Sequence, residues 1–86
     1  MRKRGMSAAT QVHHLDVRGL EPPEPLEQVL DALDRLGPED ELCMLIEREP
    51  HPLYRILADN GYRHSTSALP DFLYQVRIWH GPRNPA

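Results

Sequence analysis

Apolar and polar positions alternate from His13 to Arg18, with Leu15 and Val17 on one side and His14 and Asp16 on the other, the period of a half-buried strand. The run from Gly19 to Pro25 holds Pro22, Pro23 and Pro25 and reads as a stiff loop leading into a helix. From there Leu26, Val29, Leu30, Leu33 and Leu36 recur at helical spacing, while Glu27, Asp31, Asp34 and Arg35 fall off that stripe. Gly37 and Pro38 stop it. Leu42 to Ile46, within Glu41 to Glu47, is an unbroken apolar run, which predicts a strand buried on both faces or nearly so and placed inside the sheet. After Pro50 and Pro52, the positions Leu53, Ile56 and Leu57 mark a second helix that closes at Asn60 and Gly61. Pro52 suits its first turn, where no N–H donor is needed. Tyr62 to Ala68 and Leu73 to Trp79 read as two strands, and in the second Tyr74, Val76 and Ile78 alternate with Gln75, Arg77 and Trp79.

The predicted order is βαβαββ, an α/β (α+β) two-layer sandwich. Two successive βα units make the first strands parallel by right-handed crossovers, which places both helices on one face of the sheet. The other face is left open, with His14, Asp16, Gln75, Arg77 and Trp79 on it as a possible interface. For Trp79 a second reading stands beside this one, in which the indole closes the end of the core against the C-terminal tail. Parallel strands also bring both strand-to-helix loops to one edge, beside two helix N-termini, and such edges are where α/β sheets bind ligands.

The chain of 86 residues, with 9 prolines and 5 glycines, suffices for a single small domain. At this length folding buries only about 60% of the unfolded surface, so a shallow edge site is easier to build than an enclosed cofactor pocket. One cysteine excludes an intrachain disulfide and any Cys-pair zinc site, and it fits a reducing compartment. No apolar run approaches the roughly 20 residues of a membrane span, and no apolar signal segment follows the basic start, so the expectation is a cytoplasmic protein with no membrane partner. The net charge of −3 hides a split: Arg2, Lys3 and Arg4 precede a region, residues 12–80, that carries 13 acidic residues against 6 arginines, or −7. That field and the absence of lysine from it argue against nucleic acid. Residues 1–11 are expected to be a disordered basic tail, 12–80 the domain and 81–86 a C-terminal tail.

Two motifs carry a resemblance. Leu15 to Pro25, then an amphipathic helix, then Glu49 to Tyr54, resembles the domain of unknown function 2249 family, which is similar in fold to the TusA/SirA-like sulfur carriers. In those carriers the first loop reads Gly-Leu-x-Cys-Pro-x-Pro; here Gly19, Leu20, Pro23 and Pro25 match, while Pro22 stands at the persulfide-carrying cysteine. The resemblance implies a mixed four-stranded sheet of order 1-2-4-3 with the fourth strand antiparallel to the rest. It also implies a place in bacterial redox or sulfur and nitrogen metabolism, with the loop chemistry removed.

The candidate binding edge is formed by Arg18, Glu21, Glu24, Arg48, Glu49 and His51. Helix N-termini normally invite anions, but the carboxylates outnumber the arginines, so the amides are expected to be satisfied by side chains and a cation or basic partner is favoured. Cys43, the only thiol, falls mid-strand and is expected to pack as a small apolar core residue; the alternative is a sulfur carrier that uses it in place of the lost loop cysteine. A second alternative is a metal-dependent sensor using His14, His51 or His80, although His13 and His14 point to opposite faces. No nucleophile, base and orienter set, no phosphate loop and no zinc helix is legible, so no catalytic residue, metal ligand or cofactor is assigned. The expectation is a non-enzymatic binding module for a protein partner or small ligand, with the oligomeric state open.

Overall fold

A computed structural model describes residues 11–81 as β1 (Val12–Asp16), α1 (Glu24–Asp34), β2 (Glu41–Ile46), α2 (His51–Asp59), β3 (Tyr62–Leu69) and β4 (Leu73–His80), the order expected. Of the tails assigned from sequence, only Gln11 and Gly81 are described; the rest lies outside these residues. Both are pinned: the Glu41 N–H donates to the Gln11 carbonyl, and the Gly81 N–H donates to the Gly61 carbonyl, each at 3.0 Å.

The sheet order is β1-β2-β4-β3. β1 runs parallel to β2, and β4 runs antiparallel to both β2 and β3. The two inner strands therefore carry the centre of the core. Leu42, Met44 and Ile46 of β2 face the helices with Val76 and Ile78 of β4, and against them pack Val29, Leu33 and Leu36 from α1 and its end, and Leu53 and Leu57 from α2. All of these side chains belong to one cluster, so both helices cover the same face. Val17 completes it just beyond β1.

Leu30, expected on the buried stripe of α1, is 37% exposed. It lies on the flank of that stripe, about 100° around from Val29. α1 packs on the sheet at β2, and among the described residues that flank is left to solvent.

Gly61 closes α2 with φ +82, a conformation in which a Cβ would be strained although nothing stands within 4 Å of it. Gly19 has the same φ of +82 at the turn after β1, where the chain reverses from the strand toward α1. Each glycine is thus required by its backbone and not by crowding.

Candidate functional site

The C-terminal ends of β1 and β2 lie side by side, and the loops that leave them, residues 17–23 and 47–50, face each other. The Gly19 N–H ties them together by donating to Oε1 of Glu47 at 3.0 Å. Between them opens a cavity of about 410 Å³. Its floor is apolar, from Val17, Met44, Ile46 and Leu53, and its walls are Leu20, Leu26 and the rings of Pro22, Pro23, Pro25, Pro50 and Pro52. Glu21, Glu47, Arg48 and Glu49 bring the charge.

The prolines also decide what the helix N-termini can bind. The N-caps are Pro23 and Pro50, neither with a side-chain capping bond, and each helix carries a further proline in its first turn. Proline has no N–H. Several of the remaining early donors are spent on nearby carbonyls: Glu24 N–H on Glu21 at 2.9 Å, His51 N–H on Glu49 at 3.0 Å and Leu53 N–H on Pro50 at 3.0 Å. The expectation that carboxylate side chains satisfy these amides is therefore corrected. Proline rings and local carbonyls take that role at the helix starts, while Glu47 accepts from the loop N–H of Gly19 and Glu49 from the Tyr54 hydroxyl.

Of the six edge residues read from sequence, Glu21, Arg48 and Glu49 line the cavity. Arg18, Glu24 and His51 are outside that lining, in the loop after β1 and at the first residues of α1 and α2. Arg18 is turned back onto Asp16, with Nε to Oδ1 at 2.8 Å and Nη2 to Oδ2 at 2.6 Å. This fork, joined by the Arg18 N–H at 3.0 Å, holds the Asp16 carboxyl down to about 2. Glu24 is exposed at the first residue of α1, and the exposed His51 ring leans on Glu49 at 3.6 Å.

Register assembles the other candidate surface in three rows across the helix-free face. Val12, Glu41 and Trp79 form one, His14, Cys43 and Arg77 the next, and Asp16, Leu45 and Gln75 the third. All five residues expected there share it, so Trp79 belongs to this face and not to the helix-side core. Glu41 is only 6% exposed, and its Oε2 accepts from Arg77 Nε at 2.6 Å. The pair links the row of Glu41 to the middle row through a charge-assisted bond.

A family model described as "Uncharacterized conserved protein (DUF2249)" matches residues 14–80. The chain belongs to the DUF2249 family. A SirA-like protein of known structure from Desulfitobacterium hafniense superposes with a TM-score of 0.68 at 20% sequence identity, covering 78% of this chain and 93% of that one. The likeness shows the TusA/SirA-like fold. No curated protein matches the sequence.

In this DUF2249 domain Cys43 is buried, as expected, but it lies outside the helix-side core. Its pairing with His14 on β1 and Arg77 on β4 places it on the helix-free face, where flanking side chains leave it 9% exposed. It is thus held mid-sheet, away from both helix N-termini. Alkylation of native protein by iodoacetamide should be at least about tenfold slower than of the unfolded chain, because reaction needs an exposed thiolate. Equal rates would return Cys43 to consideration as a carrier.

The histidines named for a metal are not brought together. His14 lies on the helix-free face, His51 at the start of α2, and His80 at the end of β4, with its ring tilted against that of Tyr62 at 4.7 Å. Among the described residues no three His, Cys, Asp or Glu side chains gather as a metal site would require. No helix among them is long and apolar enough to cross a membrane.

One residue that sequence reasoning passed over shapes the cavity rim. Tyr54 donates its hydroxyl to Oε2 of Glu49 at 3.1 Å, lies 2.6 Å from Thr66 Oγ1, and stacks on His64 at 4.3 Å. Burial pushes its pKa above the usual tyrosine value, and the Glu49 carboxylate adds to the rise. The only signal was its place five residues after Glu49, where it could have been seen to reach back over the loop.

Proposed function

We propose that this DUF2249 domain is a non-enzymatic binding module whose cavity at the proline-rich edge receives an apolar group bearing positive charge. One observation carries the reading: an apolar hollow of about 410 Å³ opens between two helix N-termini that each hold two prolines in place of N–H donors, with carboxylates in excess at its mouth. That volume falls within the range of small-ligand pockets. An anion would find few amides and no net positive charge there, whereas a cation attached to an apolar body would find both its partners.

The site is also held ready. Five prolines line it, the Gly19 to Glu47 hydrogen bond ties one loop to the other, and Tyr54 holds Glu49. Little chain entropy is then lost on binding. Pro22 in place of a loop cysteine fits a module that binds without transferring sulfur.

The test compares hexyltrimethylammonium with hexanoate, two probes with the same apolar chain and opposite charge, by amide chemical-shift perturbation. The ammonium probe should move the Val17 to Leu20 and Ile46 to Glu49 amides, and hexanoate should leave them nearly still. Glu21→Lys should weaken the ammonium response. Equal response to both probes, or shifts confined to another surface, would remove this reading.

A further inference from the structure

The edge that carries the cavity carries a third turn. β4 starts beside the end of β2, with Tyr74 opposite Ile46, and the β3–β4 hairpin closes just beyond the pair Leu69 and Leu73. The tip, residues 70–72, therefore stands on the same edge as the two strand-to-helix loops. Phe72 at this tip is 91% exposed.

Phe72 is also held against its own preference. Asp71 and Phe72 have φ of 65 and 59, the left-handed region that a hairpin tip normally fills with glycine or asparagine. A bulky residue there is an outlier, and strain of this kind points to function when the surrounding structure holds it in place. A large aromatic ring kept in water and in a strained backbone, on the edge already carrying an apolar hollow, has the character of a binding anchor.

We infer that Phe72 and the cavity form one docking surface for a protein partner, which offers an apolar side chain to the cavity and a basic face to the edge. This rests on the proposed binding role of the cavity and extends it to a macromolecule. Charge complementarity selects the partner. Glu21, Glu24, Glu47, Glu49 and Asp71 lie in the three turns or at the start of α1, against Arg48, while Arg18 is spent on Asp16. A second copy of this chain would bring like charges face to face. A free small molecule filling the hollow would leave Phe72 in water.

The experiment selects from a random 12-residue peptide library against the native domain and measures an enriched synthetic peptide on wild type, Phe72→Asn and Glu21→Lys. Asparagine tolerates the left-handed backbone, so Phe72→Asn should melt no lower than wild type. Enriched peptides should carry net positive charge and a large apolar residue, and each substitution should weaken binding about tenfold or more. Peptides of neutral or acidic character, no enrichment over unfolded domain, or unchanged affinity for Phe72→Asn would overturn the inference. Loss with Glu21→Lys alone would leave the cavity's binding role standing and remove only Phe72. A dimer seen by sedimentation that dissolves in Phe72→Asn would replace the basic partner with a second copy and overturn the inference as well.

Discussion

Met44→Ala should lower the folding stability of the domain by about 2–5 kcal/mol, the range for removing a large side chain from a packed core. Met44 is fully buried at 0% exposure, sits on an inner strand between Leu42 and Ile46, and belongs both to the core cluster and to the cavity floor. Its β4 neighbour across the sheet is Val76, also at 0%. Truncation leaves a void that the rigid β2 and β4 backbones cannot close, and it joins that void to the cavity above. For a domain of this size each kcal/mol moves the melting temperature by about 4–8 °C, so the loss should be plain in a thermal or urea melt. Met44→Leu, which keeps the volume, should cost less than about 1.5 kcal/mol. A melt of Met44→Ala within about 1 kcal/mol of wild type would mean that β2 is not packed as described.

Tyr54→Ala should have the next largest effect, about 2–4 kcal/mol, because the half-buried ring closes the core between α2 and β3 as well as stacking on His64. Tyr54→Phe separates the hydroxyl from the ring. It keeps the stacking and loses the bonds to Glu49 and Thr66, so the expected cost falls to about 1 kcal/mol. The same variant frees Glu49 from its phenol partner at the cavity rim. Paired urea melts decide the matter: equal losses for both variants would place the whole effect in the hydroxyl and leave the ring without a packing role.

The cavity, Tyr54 and the hairpin tip illustrate where a one-dimensional reading ends. Helical and strand periods were legible in β1, β4 and the two helices because each of these buries mainly one side, and that asymmetry is written into the spacing of Leu15 and Val17, of Val29 and Leu33, and of Val76 and Ile78. Proline and glycine marked the loops because their backbone limits are local. The strand order came with the family resemblance, and the sheet has that order. Within β2 no alternation existed to tell one face from the other. Cys43 could therefore be read as buried but not assigned a face until register set it between His14 and Arg77.

The candidate edge was legible in outline for a topological reason: two parallel strands must send their following loops to the same side. Its composition was not. Arg18 is the clearest case, since its nearest acid in space is Asp16, two residues back on the chain, and not the glutamates of the loops. Sequence proximity to the loop said nothing about which carboxylate the guanidinium would reach.

What the sequence by itself determined is the set of elements, the place of the turns, the acidic field and the shared edge of the two loops, all consequences of local backbone preference, periodicity or connectivity. Only the tertiary structure decided that the edge is hollow and apolar, that prolines and nearby carbonyls take up most donors of the helix starts, that Tyr54 reaches Glu49, and that Phe72 stands on the same edge of the sheet. Those facts depend on how far apart and in what register separate segments pack, and no period within one segment encodes a distance to another.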